Sequence, residues 1–233
     1  MSHPLIGILG GMGPAATQYF YDLILKNTPA TCDQDHISTL IYQATFLPDR
    51  SYCINHHLED TFISQLKDCI SLLKKSQVSC LAVPCNTVHY FLNKIQHQID
   101  IPFFHLIDSC IRYLKDKNIH NVTLLSTQAT IDMKLYHQSA SLKKIQIQIP
   151  NKQQQAIISD TIVQIKAGKN PLSFTNALSN ITNDLTRQNG PHFILGCTEL
   201  PLVFNARQNP YLIDPMQCLA SEIIHFCLAN VAR

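Results

Sequence analysis

The 233-residue chain is short of charge: Asp, Glu, Lys and Arg make up 15% of it, the formal net charge is +2, and the basic residues form no long run. That excludes the footprint of a nucleic-acid surface and points to a small partner. Close cysteine pairs of the C-x-x-C kind are missing, although there are nine cysteines, an odd number. A secreted disulfide framework is therefore not expected, whereas a reducing cytoplasm is. No apolar run approaches the roughly 18 residues that span a bilayer, and no basic region precedes the short apolar stretch at Leu5–Leu9, which reads as a buried strand. The eleven histidines, His56-His57 included, lack a ligand spacing such as H-E-x-x-H, so no metal is expected.

What is present is a core and a repeat. A hydrophobic content of 45% suffices for one large domain or two modest ones. An apolar run followed by a cysteine and a threonine occurs twice, as Leu81-Ala82-Val83-Pro84-Cys85-Asn86-Thr87 and as Phe193-Ile194-Leu195-Gly196-Cys197-Thr198. An apolar run ending in a small-residue turn precedes each, as Ile6-Gly7-Ile8-Leu9-Gly10-Gly11-Met12-Gly13 and as Val122-Thr123-Leu124-Leu125-Ser126-Thr127. Gly11 to Cys85 is 74 residues, and Thr127 to Cys197 is 70. Leu-Ile-Asp follows each cysteine, at 106–108 and at 212–214. Three features in one order at an offset of 106 to 116 residues predict duplicated lobes.

Strand-like runs at Leu5–Leu9, Ile37–Tyr42, Cys80–Val83, Phe103–Ile107, Val122–Leu125, Lys144–Ile149, Phe193–Leu195 and Tyr211–Ile213 alternate with helical segments, which predicts βα units with parallel strands. Helices are expected at 15–26, opened by Pro14, and at 58–75, where Phe62, Leu66, Cys69, Ile70 and Leu73 form one face. Others are expected at 154–167, 176–186 and 217–229. The fold is thus read as α/β, with a first lobe over 1–103, a second over 104–214, and a last helix in 215–233 returning to the first. Ligands of open α/β sheets bind beyond the carboxyl ends of the strands, where both small-residue turns and both cysteine loops lie.

The first turn, Gly11-x-Gly13-x-x-Ala16, fits the dinucleotide fingerprint but has no acidic residue at the end of the next strand and no P-loop Lys-Ser/Thr. It reads either as a tight turn into a helix or as N–H groups for an anion. Cys85 and Cys197 stand apart from the other cysteines because each ends a strand. Stabilised by helix N-terminal N–H groups, such a thiol can serve as a base. Cys32, Cys53, Cys69, Cys80, Cys110, Cys218 and Cys227 read as small buried side chains. Asn86, Thr87, Thr127, Thr130 and Thr198 are neutral donors, or caps. Arg50 and Lys166 are cations for a second carboxylate, or solvated charges. His89 and Glu199 are placed to tune the two thiols, or to make local hydrogen bonds.

These motifs resemble the cofactor-independent aspartate/glutamate racemase family. The residues that carry the resemblance are Gly10 to Thr17, Asp35-His36-Ile37, Pro48-Asp49-Arg50, Pro84 to His89, Ser126-Thr127-x-x-Thr130 and Gly196-Cys197-Thr198-Glu199. Ser126 departs from the glycine common there. The resemblance implies two Rossmann-like lobes with parallel sheets related by pseudo-two-fold symmetry, an active site between them, and a homodimer. It implies Cys85 and Cys197 as the acid/base pair and no pyridoxal phosphate. Asn86, Thr87, Thr127, Thr198 and the Met12 turn would bind the α-carboxylate and ammonium of a small acidic amino acid, and Arg50 and Lys166 its side-chain carboxylate. Aspartate is expected ahead of glutamate. The other functions left open are hydantoin racemisation, maleate isomerisation and a non-catalytic small-acid binding protein.

Overall fold

The structure, a computed structural model, describes residues 4–204 and 209–230. The first sheet contains β1 (Leu5–Gly10), β2 (Ser38–Gln43), β3 (Cys80–Ala82) and β4 (Phe103–Phe104), in the order β2-β1-β3-β4. The second contains β5 (Asn121–Ser126), β6 (Gln146–Gln148), β7 (Phe193–Gly196) and β8 (Leu212–Ile213), in the order β6-β5-β7-β8. All six strand pairings among the described residues are parallel. The two sheets therefore share one topology, as duplication of a βα unit requires.

Register aligns the halves residue by residue. Ile8 pairs with Ala82 and Ala82 with Phe104 in the first sheet, while Leu124 pairs with Ile194 and Ile194 with Ile213 in the second. Three residues beyond the row members Ile8 and Leu124 stand Gly11 and Thr127, and three beyond the row members Ala82 and Ile194 stand Cys85 and Cys197. The third repeated feature does not align. Ile213 matches Phe104, so Asp214 matches His105, whereas Leu106-Ile107-Asp108 lies on a helix.

That helix, α5 (Leu106–Asp116), also corrects the strand expected at Phe103–Ile107, of which only Phe103–Phe104 is extended. Leu106, Ile107, Cys110, Ile111 and Leu114 are all buried, at spacings of three and four that belong to a helix face. Their first members simply extend an apolar strand in sequence. The strand expected at Lys144–Ile149 is shorter too, because Lys144 has a left-handed φ of 58° in the turn before β6.

Helix α1 (Pro14–Asn27) has Pro14 in its first turn, where its missing N–H costs nothing. After α2 (Arg50–Asn55), α3 (Glu59–Lys75) buries Phe62, Leu66, Cys69, Ile70 and Leu73, with Glu59 and Asp60 in its first turn and Lys74 and Lys75 in its last. Those charges oppose the helix dipole at both ends. Short helices α4 (His89–Ile95), α6 (Gln128–Asp132) and α7 (His137–Leu142) follow β3 and β5. Asn151 caps α8 (Lys152–Lys166) reciprocally with Gln154, and Gly190, at φ 90°, stops α9 (Thr175–Asn189). The last helix is α10 (Pro215–Ala229). Among the described residues no helix is long and apolar enough to cross a membrane.

The chain divides into two compact units, Met1–Ser109 with Met216–Arg233, and Cys110–Pro215. In the first, α10 packs Phe226 on Phe104 with ring centroids 5.3 Å apart, and Glu222 Oε2 accepts from Ser109 Oγ at 2.7 Å. In the second, Ile158, Ile162 and Ile165 of α8 and Leu178, Ile181 and Leu185 of α9 bury Leu125 and Leu195. Six of the seven cysteines read as buried apolar side chains are buried; Cys32 is exposed, because it opens a surface 3-10 turn over Asp33–Asp35.

Candidate active site

The glycine turn after β1 is closed by its own chain. Gly11 N donates to Thr17 Oγ1 at 3.1 Å, and Thr17 Oγ1 donates to Gly13 O at 2.9 Å. A Cβ on Gly10 would overlap the Thr17 side chain, so glycine and threonine are needed together. Gly11 has φ +87°, and a Cβ there would lie 2.6 Å from Ala44 N. Of the two sequence readings, the tight turn therefore accounts for Gly10 and Gly11, and the Gly11 amide is not offered to an anion. Backbone atoms cannot yield as a flexible side chain does, and left-handed φ strains alanine as well. Gly11→Ala is expected to cost about 2–4 kcal/mol, read as a lowered urea midpoint with an unchanged slope.

Arg50 is tied to the same turn. It is 7% exposed, its Nη2 donates to Met12 O at 3.0 Å, and its Nη1 donates to Pro48 O at 3.3 Å. The solvated-charge reading thus fails for Arg50. A guanidinium held at two nitrogens is fixed in direction, as a carboxylate receptor needs.

The first thiol lies on the loop between β3 and α4. The amides there are used locally: Cys85 N donates to Val83 O at 2.8 Å, His89 N to Asn86 O at 3.1 Å, and Tyr90 N to Thr87 O at 3.2 Å. Asn86, Thr87 and His89 are all buried. His89 Nδ1 lies 2.7 Å from Cys85 O, and Leu106 N donates to His89 Nε2 at 3.1 Å. Those partners require the neutral tautomer with hydrogen on Nδ1, so His89 holds the main chain of the thiol loop against the start of α5. It positions Cys85 and is not a proton relay to its sulfur. His105 stacks edge-on at 4.3 Å, with its Nε2 2.9 Å from Asn93 Oδ1.

Burial holds the His89 imidazole well below its ordinary pKa, and His105 adds to the effect. Below about pH 6.5 the unfolded chain takes up a proton that the folded chain refuses. The contribution is complete above that pH and is lost, by about 1.4 kcal/mol per unit, as pH falls toward the depressed folded pKa. Urea unfolding at pH 7.5 and 5.5 is expected to show this loss, with a shallower slope in His89→Asn, whose amide can still donate to Cys85 O.

The second thiol ends β7. Cys197 Sγ donates to Glu199 Oε2 at 2.9 Å, and Thr198 Oγ1 donates to the same oxygen at 3.4 Å. Burial pushes the Cys197 thiol well above its usual range; the Glu199 charge pushes the same way, and the Lys166 charge pulls it down. A hydrogen bond from the Glu199 backbone pulls it down as well, in the direction expected of a helix N-terminus, but burial has the larger effect. The turn that follows is a 3-10 segment, Leu200–Leu202, and its Leu200 N is spent on Cys197 O at 3.0 Å. At neutral pH Cys197 is a thiol, with a carboxylate placed to take its proton.

Thr127 caps α6: its Oγ1 accepts from Thr130 N at 3.3 Å and lies 3.0 Å from Thr130 Oγ1. The two threonines are thus joined at the start of α6. A residue that the sequence reading passed over is Gln155, buried on α8, whose Nε2 donates to Ser126 O at 2.9 Å. It anchors the carbonyl just before Thr127, and nothing in its sequence neighbourhood distinguishes it from Gln153 or Gln154. Within the first unit the structure joins Arg50 to Met12 and His89 to Cys85; within the second it joins Cys197 and Thr198 to Glu199, while Lys166 is exposed at the end of α8.

Comparison with known proteins gives the same outline. The chain is 29% identical over 232 residues to the broad specificity amino-acid racemase RacX of Bacillus subtilis, covering 97% of this chain and 99% of that protein. Its fold matches an aspartate racemase of Picrophilus torridus with a TM-score of 0.82 at 27% identity, over 96% of this chain and 94% of that one. It matches glutamate racemase isoform RacE1 of Bacillus anthracis with a TM-score of 0.72 at 16% identity, over 99% and 84%, a likeness of fold alone. The model of the Asp/Glu/hydantoin racemase family matches residues 9–223, a span that runs from the end of β1 into α10 and takes in both cysteine loops. With two lobes of one topology, each with a cysteine three residues past its central strand row, the chain belongs to the Asp/Glu/hydantoin racemase family.

Proposed function

We propose that the chain racemises a small acidic amino acid, aspartate in the first place, by passing the α-proton between two cysteines without pyridoxal phosphate. The observation that carries this reading is the register: Cys85 and Cys197 occupy the same position in two sheets of the same topology. A racemase needs one group to remove a proton and a second to supply one to the opposite face. In one direction Cys85 removes the α-proton and Cys197, which holds its proton, delivers one. The roles reverse for the other enantiomer, with Glu199 taking the Cys197 proton.

An α-proton beside a carboxylate is a very weak acid, so charge developing on that carboxylate must meet fixed donors. Asn86, Thr87, Thr127 and Thr198 are assigned that role, with the Met12 turn beside them. Arg50 and Lys166 are assigned the side-chain carboxylate. The field of Lys166 at Cys197 supports its place in this group. The protein is taken to work as a cytoplasmic homodimer.

A second reading is favoured by one relative: the Bacillus protein is named for broad specificity. Both readings meet one test, proton NMR of an amino-acid panel incubated with the chain in deuterated water without added cofactor. Loss of the α-proton signal of aspartate, with enantiomer formed, is expected. Exchange across many side chains would favour the broader range, and no exchange in any acid would overturn the racemase assignment.

A further inference from the structure

Position 155 interrupts the buried stripe of α8. Residues 155, 158, 162 and 165 fall on one helix face at spacings of three and four, and Ile158, Ile162 and Ile165 fill three of those places in the core of the second unit. The fourth is Gln155, 6% exposed. Its Nε2 donates to Ser126 O at 2.9 Å and to Ser159 Oγ at 3.0 Å. A carbonyl oxygen only accepts, so the amide nitrogen must face Ser126, which fixes the orientation of the Oε1 end. Among the described residues nothing donates to that Oε1, although it is buried. A buried acceptor without a donor destabilises a fold, and an apolar side chain at 155 would avoid it. The bond to Ser126 is thus held at a cost to the core.

Ser126 ends β5, and its register partner on β7 is Gly196, the residue before Cys197. The two strands approach closely there: a Cβ on Gly196 would lie 3.1 Å from Ser126 Cβ and 3.2 Å from Leu125 O. A shift of the Ser126 backbone is therefore passed to Gly196 and on to the thiol. Thr127, on the other side of the same carbonyl, is held separately by Thr130. We propose that Gln155 is a positioning residue for Cys197, acting through the Ser126 carbonyl and the pairing of β5 with β7. Its effect on catalysis rests on the racemase reading above; its effect on the placement of the thiol does not.

Methionine at 155 keeps the length of the side chain and gives up the donor. With Cys197 less well placed, the substrate anion formed by Cys85 waits longer for a proton on its opposite face. More of it takes a proton back from Cys85, which exchanges with solvent. Gln155→Met is therefore expected to slow inversion about threefold to tenfold, the effect of one hydrogen bond, and to raise the ratio of α-proton exchange with retention to inversion. That rise belongs to one enantiomer alone, the one whose proton Cys85 removes. A less tightly held Cys197 also meets an alkylating reagent more readily. A defect spread through the fold would instead lower exchange and inversion together for both enantiomers.

The test follows each enantiomer of aspartate in deuterated water with the wild-type chain, Gln155→Met, Gln155→Leu, which completes the apolar stripe, and the exposed Gln153→Met as control. Alkylation of Cys85 and Cys197 by iodoacetamide, mapped by peptide mass spectrometry, is measured on the same proteins. Both Gln155 variants are expected to show the higher retention-to-inversion ratio for one enantiomer and alkylation of Cys197 about threefold to tenfold faster. Cys85 is expected to react as before, and the control to match the wild type. Unchanged inversion, an equal fall of exchange and inversion in both enantiomers, or Cys197 alkylated at the wild-type rate would overturn the proposal. A wild-type chain that exchanges no α-proton would overturn the racemase reading instead, and the alkylation rates would then decide whether Gln155 places Cys197.

Discussion

Cys85→Ala and Cys197→Ala are each expected to lower kcat/KM for racemisation by about 10²–10⁴-fold, the range for loss of a positioned acid or base. The loss must be equal in the two directions, because enantiomers have the same free energy in water and the equilibrium constant is one. What separates two bases from one is the behaviour that remains. A chain keeping one thiol can still remove the α-proton of the enantiomer that faces it, exchange that proton with solvent, and return it on the same side. Each alanine variant is therefore expected to exchange the α-proton of one enantiomer with retention, and the two variants are expected to prefer opposite enantiomers. Chiral chromatography combined with mass spectrometry reads both effects together. Full racemisation by either variant would refute the assignment.

The next largest effect is expected at Glu199. Its carboxylate accepts from the Cys197 thiol at 2.9 Å in a buried setting and helps keep the proton on sulfur. A hydrogen bond to a charged group is worth about 1.5–3 kcal/mol, so Glu199→Gln is expected to lower kcat/KM about 10–100-fold. Glutamine can still accept the thiol hydrogen but cannot take the proton. The sign at the thiol is opposite to that at the reaction. Removing the negative charge lowers the Cys197 pKa, so the pH midpoint of its labelling by iodoacetamide is expected to move down.

How much of this was legible in the sequence follows from the range of the forces involved. The buried strands of both sheets read well because a strand covered on two faces is a continuous apolar run. For the same reason Phe103–Ile107 misled: the run continues from β4 into the first turn of α5, and only the later spacing of Cys110, Ile111 and Leu114 shows the change of period. The cysteine loops were visible as a repeat, and their alignment is sustained by strand pairing. Leu-Ile-Asp repeated in letters but not in place, because the two copies fall three residues apart in register.

The site's electrostatics were less legible. A cysteine at a strand end suggests a thiolate under a helix N-terminus, but the sequence does not reveal that burial and the Glu199 charge together push the Cys197 thiol up. That Glu199 turns onto Cys197, two residues away, was a possibility the local spacing allowed. The link from His89 to Leu106 and the anchor from Gln155 to Ser126 join residues 17 and 29 positions apart. No local pattern encodes such contacts; the fold makes them.

The central claim, two thiols serving opposite faces of one carbon, is tested most directly by the fate of the α-hydrogen in the wild-type chain. L-aspartate with protium at Cα is incubated in deuterated water, and both enantiomers are isolated at a few per cent conversion. The account predicts deuterium at Cα in essentially all of the D-aspartate and protium retained in the unreacted L-aspartate, because the proton removed stays on one cysteine while the other delivers from solvent. Protium carried over into the D-aspartate would mean that a single group removes and returns the same hydrogen, and would contradict the account.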